Sequence, residues 1–255
     1  MQSVEPCEFL PWDTAFFGRR IARVVGHRLN PQRVCAILEW CRVREIEYLY
    51  FLAAVDDQQT VRLAEDHGFR LVDIRVTLQC SIGDRRSGRS DETAQAVRVR
   101  PARAGDIPLL QEIARTSYGD SRFYFDPCFS VEACENLYAT WIKRSCEGYA
   151  DAVLVAEAEG RPIGYVSCHL LSNKRHGQIG LVGVGPQARN RGVGHLLICH
   201  SLQWFAERGV DEVSVVTQGR SIAAQRLYQR CGFATHSVQL WYHKSMGAGR
   251  AKVRS

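Results

Sequence analysis

The most informative segment of the chain is residues 179–194, which read Ile179-Gly180-Leu181-Val182-Gly183-Val184-Gly185-Pro186-Gln187-Ala188-Arg189-Asn190-Arg191-Gly192-Val193-Gly194. An apolar strand leads into a short loop, and Gly192 and Gly194 open a helix. The first N–H groups of a helix have no intrahelical acceptor and lie at the positive end of its dipole. Glycines let a phosphate approach those groups closely, and Arg189 and Arg191 add positive charge. The segment therefore predicts a cradle for a diphosphate.

The glycine spacing separates this cradle from other phosphate-binding loops. It does not end in Gly-Lys-Ser/Thr, which excludes a P-loop NTPase, and it is not a Gly-x-Gly-x-x-Gly after an early strand, as in a Rossmann fold. The pattern Arg-x-x-Gly-x-Gly, from Arg189 to Gly194, stands between a strand and a long amphipathic helix. In this context it resembles motif A of the GNAT superfamily of N-acetyltransferases.

The resemblance implies a site for acetyl-coenzyme A as the co-substrate. The loop amides would bind the diphosphate, and the preceding strand would splay from its neighbour and pair with the pantetheine arm. The N–H of Val184 would face the thioester oxygen, where a donor stabilises the oxyanion. The residues expected to bind the cofactor are Leu181, Val182, Gly183, Val184, Arg189, Asn190, Arg191, Gly192, Val193, Gly194 and Ser221.

Tyr228 is the second candidate catalytic residue. It shares one face of a predicted helix with Ala224, Leu227 and Cys231. One interpretation is a core tyrosine whose hydroxyl is satisfied by a backbone carbonyl. The GNAT resemblance instead implies that a tyrosine at this place reaches the sulfur of coenzyme A. A phenol is a suitable acid for a leaving thiolate because the two have similar pKa values.

Strands and helices alternate in the second part of the chain, which predicts an α/β or α+β fold with a central mixed sheet. The GNAT resemblance makes this a mostly antiparallel sheet flanked by helices. The polar, glycine- and serine-rich segment 83–95 reads as a linker. We therefore expect an N-terminal domain over 1–82, a catalytic domain over 96–246 and a frayed tail over 247–255. Asp106 is expected to cap a helix that contains Pro108 in its first turn.

The N-terminal part contains a weak echo of the C-terminal part. A shift of 164 positions places residues 62–69 on residues 226–233, so that the Gly68-Phe69 pair falls on Gly232-Phe233. We interpret this as a strand–helix–Gly-Phe–strand unit used twice, although chance remains an alternative. Ala64 stands where the second copy has Tyr228, and no glycine-rich loop precedes it. The first copy is thus predicted to be a truncated, inactive GNAT-like domain.

Charge, hydropathy and cysteine content indicate which further classes of protein the sequence does not resemble. The net charge of +6 suits a polyanionic small molecule, is equally explained by solubility, and is not the basic stripe of a nucleic-acid-binding protein. No apolar run approaches the roughly 18 residues that span a bilayer, and the N-terminus lacks a secretory signal. The ten cysteines show no Cys-x-x-Cys pair and no zinc-like spacing. We expect a cytoplasmic protein with buried thiols, no metal and no membrane or nucleic-acid partner.

Four further segments resemble one GNAT subfamily, the dTDP-fucosamine (dTDP-4-amino-4,6-dideoxygalactose) N-acetyltransferases. They are residues 10–18 with Trp-Asp-x-x-Phe-Phe-Gly, residues 121–127 with Arg-Phe-x-x-Asp-Pro, and residues 215–220 together with 238–243. The resemblance implies direct attack by the C4 amine of a nucleotide-linked deoxyamino sugar on acetyl-coenzyme A. It is compatible with a homodimer. Ser221 departs from the asparagine often found in this subfamily, although serine can still cap the helix.

The acceptor site is less defined in the sequence. Arg122, Tyr124 and Asp126 are candidate acceptor contacts, or else a loop held by its aromatic residues; Thr217 and Gln218 are further candidates. No cysteine sits beside a plausible base in the sequence, although a base close in space stays open, and the candidates for a general base are His169, His176 and Glu157. Two alternatives stay open: a GNAT enzyme for a peptide N-terminus, an antibiotic or a polyamine, and a non-catalytic acyl-CoA-binding protein.

Overall fold

The computed structural model describes residues 5–83, 97–171 and 175–247. Packing divides the chain into two compact units, Met1–Arg75 with Val238–Ser255, and Val76–Ser237. Apart from Gly83, the predicted linker lies outside the described residues, as does the predicted tail after Gly247. The expected domain boundaries therefore stay a prediction.

The first unit contains a small sheet with helices. Strand β2 pairs antiparallel with β1 and parallel with β3, and β3 pairs antiparallel with the C-terminal part of β10. Asn30 caps α2 by accepting a hydrogen bond from the N–H of Arg33. The elements are β1 (Cys7–Phe9), α1 (Pro11–Phe17), β2 (Ile21–Val24), α2 (Pro31–Val43), β3 (Tyr48–Ala54), α3 (Gln58–Asp66), the start of β4 (Arg70–Ser81) and the end of β10 (Ala234–Ser245).

The second unit contains a sheet in the order β4-β9-β8-β7-β6-β5. The pairs β5–β6, β6–β7 and β7–β8 are antiparallel, and β8–β9 is parallel. The prediction of a mixed, mostly antiparallel sheet flanked by helices is thus confirmed. Its further elements are β5 (Val97–Pro101), α4 (Ile107–Arg115), α5 (Val131–Arg144), β6 (Ala152–Ala158), β7 (Arg161–Leu170), β8 (His176–Val184), α6 (Val193–Ala206), β9 (Glu212–Gln218) and α7 (Ile222–Arg230).

The sequence echo corresponds to a structural repeat. Adding 164 to the bounds of β3, α3 and β4 reproduces the bounds of β9, α7 and β10. The turn after each helix is also the same. The N–H of Phe69 donates to the carbonyl of Ala64 at 2.9 Å, and the N–H of Phe233 donates to that of Tyr228 at 3.0 Å. The glycine before each phenylalanine has a positive φ, 74° and 81°, which favours glycine at this place.

A buried ionic cluster fixes the edge of the second sheet. The Arg100 guanidinium donates to both carboxylate oxygens of Asp106, at 2.7 and 3.0 Å, and to Glu157 at 2.6 Å. The expected capping of α4 by Asp106 was wrong, because its carboxylate accepts from Arg100 and from the N–H of Arg103 instead. Arg100 holds the pKa of Asp106 below its usual value.

Candidate active site

The parallel strands β8 and β9 separate part of the way along their length. Their pairing runs from His176↔Glu212 to Ile179↔Val215, whereas β8 continues to Val184 and β9 to Gln218. On its other side β8 remains paired with β7 as far as Val184. The last five residues of β8 therefore have one edge whose backbone groups do not bond to β9. This is the splay that the sequence predicted.

Val184 directs its backbone groups toward this open edge. The next residue, Gly185, donates its N–H to the carbonyl of Ile163 near the start of β7, at 2.9 Å. Because backbone groups of successive strand residues point to opposite sides, the N–H of Val184 points away from β7. Its carbonyl accepts from Nε of Arg189 at 3.0 Å, as this direction requires. A backbone donor thus lies at the end of the open edge.

The loop after β8 leads directly into α6, whose first N–H groups have no intrahelical acceptor. Pro186–Ala188 form a 3₁₀ turn, and Asn190 and Gly192 take positive φ values of 60° and 80°. Gly192 precedes α6, and no side chain caps that helix. The first helical bond runs from the N–H of Leu196 to the carbonyl of Gly192, so the N–H groups of Val193 and Gly194 have no intrahelical acceptor. This arrangement fits an anion such as a diphosphate.

Two arginines of this loop have different environments. Arg189 donates to the carbonyls of Val184 and Thr116, at 3.0 and 2.9 Å. It therefore braces the loop against the residue that follows α4. Arg191 is exposed, so its side chain is accessible to an anion from solvent.

Gly194 lies where α6 packs against α7. A Cβ added at Gly194 would lie 3.1 Å from Leu227 of α7. Gly194 therefore allows close packing of α6 on α7, which carries Tyr228, in addition to opening the helix.

Tyr228 is buried, with 5% of its surface exposed, and its ring packs edge-on against Phe233 with centroids 5.9 Å apart. Burial raises its pKa well above the usual value. The phenol therefore keeps its proton at neutral pH. Burial and, to a smaller extent, the neighbouring phenols of Tyr165 and Tyr228 raise the pKa of Tyr118.

Two further tyrosines, Tyr118 and Tyr165, were not among the site residues predicted from the sequence. The hydroxyl groups of Tyr118 and Tyr165 are 3.0 Å apart, and burial raises the pKa of both. Tyr165 pairs with Gly183 across the sheet. A Cβ at Gly183 would lie 2.7 Å from the Tyr165 ring, so this strand position requires glycine. A glycine inside an apolar strand signals such a close approach, and it could have pointed to Tyr165.

The loop between β9 and α7 is held by a different side chain from the one expected. Ser221 precedes α7, but its hydroxyl accepts no hydrogen bond from the helix, so capping by its side chain was a wrong expectation. Nε2 of Gln225 instead donates to the carbonyls of Gln218 and Gly219, at 3.1 and 2.9 Å. Thr217, near the end of β9, is buried.

Two of the candidate acceptor residues, Arg122 and Asp126, make contacts within their own loop. Asp126 is buried and accepts from the N–H of Cys128 at 3.0 Å. Burial raises the pKa of Tyr124 to about 12. Arg122 lies over the ring of Phe123, with its guanidinium carbon 4.4 Å from the ring centre.

One contact joins this loop to the loop after β9. The guanidinium carbon of Arg220 lies 3.5 Å from the ring centre of Phe125, which is 54% exposed. The structure thus brings residues 122–126 close to residues 217–221, as an acceptor site made by both segments requires.

The candidates for a general base differ in availability. Glu157 is bonded to Arg100, and His176 lies at the far end of β8 from Val184. His169 lies against Gly180, where β8 and β9 have separated, and burial lowers its pKa. One cysteine lies beside a histidine in space, a possibility that the sequence left open. Sγ of Cys199 is 3.7 Å from Nδ1 of His195, because residues four apart share a helix face.

In the described parts of the chain, none of the helices combines the length and apolarity required to traverse a bilayer. All ten cysteines lie in those parts, and none forms a disulfide.

Comparisons with known proteins find similar sequences and a similar fold. Residues 113–233 match the acetyltransferase (GNAT) family. The dTDP-fucosamine acetyltransferase of Escherichia coli O6:H1 is 29% identical over 248 residues, covering 95% of this chain and 98% of that protein. The spore coat polysaccharide biosynthesis protein SpsD of Bacillus subtilis is 28% identical over 153 residues, 60% of this chain and 52% of SpsD. A GCN5-related N-acetyltransferase from Sphaerobacter thermophilus shares the fold, with a TM-score of 0.67 at 19% identity over 96% of this chain and 77% of its own.

Proposed function

We propose that the chain is an acyl-CoA-dependent N-acetyltransferase of the GNAT family and that it acetylates the C4 amine of a nucleotide-linked 4-amino-4,6-dideoxy sugar. The observation that carries the proposal is the separation of β8 from β9 after Ile179↔Val215, directly before the cradle at Gly192. An open strand edge and a helix N-terminus in succession suit a ligand with an extended amide arm followed by a diphosphate.

The residues of the cradle hold acetyl-coenzyme A in this proposal. The N–H groups of Gly192, Val193 and Gly194 donate to the diphosphate, since they face outward at the positive end of α6. Val182 and Val184, whose backbone groups face the open edge, donate to and accept from the pantetheine amides, as a neighbouring strand would. Bound there, acetyl-coenzyme A supplies the activated acetyl group.

The chemical step uses Val184 and Tyr228. The amine nitrogen of the acceptor forms a bond to the thioester carbon while the N–H of Val184 donates to the carbonyl oxygen and stabilises its developing charge. The carbon–sulfur bond breaks, and the departing sulfur takes the proton of Tyr228. The amine loses one proton to solvent or to a side chain, and Tyr228 regains one from solvent. No covalent acyl-enzyme is required.

Similarity and charge support a nucleotide sugar as acceptor. The E. coli relative named for dTDP-fucosamine matches 95% of this chain, which includes both candidate acceptor loops. Arg122 and Arg220 contribute cationic groups to these loops, and cationic groups favour an acceptor that carries phosphates. A cationic peptide or polyamine would be repelled by the same groups.

An acceptor screen with acetyl-coenzyme A tests the proposal. The release of free thiol is followed with dTDP-4-amino-4,6-dideoxygalactose, other nucleotide amino sugars, peptides with a free N-terminus, and polyamines. We expect turnover with a nucleotide 4-amino sugar and none with the cationic acceptors. Turnover confined to peptides or polyamines would refute the acceptor class. Binding of the cofactor without turnover of any amine would favour a non-catalytic acyl-CoA-binding protein.

A further inference from the structure

Three metal-binding side chains meet between α6 and the end of α7. His195 and Cys199 are one helical turn apart on α6, and Cys231 directly follows α7. The sulfur of Cys199 lies 3.7 and 3.8 Å from the two ring nitrogens of His195. One ligand atom from each of the three residues lies within 4.8 Å of the other two. The sequence predicted no metal because Cys231 is far along the chain from the other two residues.

These distances are close to those of a tetrahedral zinc site. With Zn–S near 2.3 Å and Zn–N near 2.05 Å, tetrahedral geometry separates S from N by about 3.6 Å and S from S by about 3.8 Å. The separation of 3.7 Å between Cys199 and His195 already matches the first value. The upper limit of 4.8 Å for the group leaves about 1 Å to be closed, which a small side-chain rotation supplies.

The donor set selects the kind of ion. Two thiolates and one imidazole favour Zn²⁺ over the hard ions Mg²⁺ and Ca²⁺, which prefer oxygen. Two thiolates also cancel the charge of Zn²⁺, so that the ion adds no net charge beside the buried Cys231. Three protein ligands leave the fourth position for water.

We propose that His195, Cys199 and Cys231 bind one Zn²⁺ ion that joins the N-terminal turn of α6 to the C-terminus of α7. The ion would add a bond where Gly194 and Leu227 already pack closely. Because α6 opens the cradle and α7 carries Tyr228, bound zinc fixes two parts of the site relative to each other. This assignment does not depend on the identity of the acceptor.

A cobalt titration of the reduced, metal-free protein tests the site without any assay of turnover. Thiolate ligation of Co²⁺ gives sulfur-to-metal charge-transfer bands, and a tetrahedral site gives intense visible bands. We expect these bands to saturate at one Co²⁺ per chain and to disappear when Zn²⁺ is added. Zn²⁺ should also raise the Tm of the protein.

Variants identify the ligands. Cys199→Ser and His195→Gln, both at partly or fully exposed positions of α6, should weaken Co²⁺ binding at least about ten-fold, the smallest loss seen even for residues that only support a ligand. Cys128→Ser is the matched control, because Cys128 is exposed and lies outside the cluster. Unchanged bands in Cys199→Ser, bands lost in Cys128→Ser, or no stoichiometric binding by the wild-type protein would overturn the proposal. Formation of a Cys199–Cys231 disulfide without Co²⁺ binding by the reduced protein would also overturn it.

Discussion

Replacement of Gly192 by alanine separates the role of the cradle from that of helix stability. Gly192 has a φ of 80°, and a Cβ at this position would meet no atom within 4 Å. The substitution therefore adds backbone strain without a steric clash. For an L-residue in the left-handed region this strain is about 1 kcal/mol.

The same helix offers a matched control. Gly209 follows the C-terminus of α6, has a φ of 72°, and would also accept a Cβ without contact. Gly209→Ala should lower the free energy of unfolding by about 1 kcal/mol, measured by urea denaturation, and Gly192→Ala should lower it by less, because the exposed loop can relax residue 192 in the free protein. The two variants differ in their distance from the proposed diphosphate site.

Only Gly192→Ala should weaken cofactor binding. In the free protein the exposed loop can relax residue 192 to a negative φ, and binding must then restore the strained form. Restoring about 1 kcal/mol of backbone strain on binding raises the Kd for coenzyme A about five-fold. The loss of one charge-assisted N–H bond would raise the Kd further. Isothermal titration calorimetry measures both variants. An unchanged Kd for Gly192→Ala, or an equal rise for Gly209→Ala, would refute the reasoning.

Three further substitutions address catalysis, stability and the loop. Tyr228→Phe should lower kcat about 100-fold, because the acid is lost, and leave the Kd for coenzyme A unchanged; an unchanged kcat would exclude Tyr228 as the acid. Asp106→Asn should lower the free energy of unfolding at pH 7 by about 3 kcal/mol. The pKa of Asp106 is lowered in the folded state, so its stabilisation is complete above the unfolded pKa of about 3.9 and is lost as the pH falls through the folded pKa. Wild type and Asp106→Asn should therefore converge in acid, and a constant difference in urea titrations down to that range would contradict this. Arg189→Ala should raise the KM for acetyl-coenzyme A, because it releases the carbonyls of Val184 and Thr116; unaltered steady-state kinetics would show that the brace is dispensable.

Features that depend on a local sequence pattern could be predicted from the sequence alone. Strand–loop–helix order around Gly192, the apolar alternation of the strands, and the repeat shifted by 164 positions all follow from residues that are close along the chain. The turn residues Gly68 and Gly232 were recognisable because few other residues adopt a positive φ.

Features that depend on distant residues could not be predicted in the same way. Asp106 has the position of a helix cap, but its carboxylate accepts from Arg100, which also pairs with Glu157, 57 residues away along the chain. Arg189 was expected at the cradle, yet its partner is a carbonyl 73 residues away.

The contact between Tyr118 and Tyr165 also depends on residues that are distant along the chain, so it could not be predicted from a local pattern. Tyr118 and Tyr165 come from a loop and from a strand, and only the packing of the sheet brings their hydroxyl groups within 3.0 Å. Glycine at 183 was the single local sign of that contact.

A crystal structure of the complex with coenzyme A tests the central claim most directly. We predict that diphosphate oxygens lie about 2.7–3.2 Å from the backbone nitrogens of residues 192–194, with the pantetheine along residues 181–184 and its sulfur near Tyr228. A diphosphate bound at another surface, with the N-terminus of α6 and the open edge of β8 left without ligand, would contradict the account.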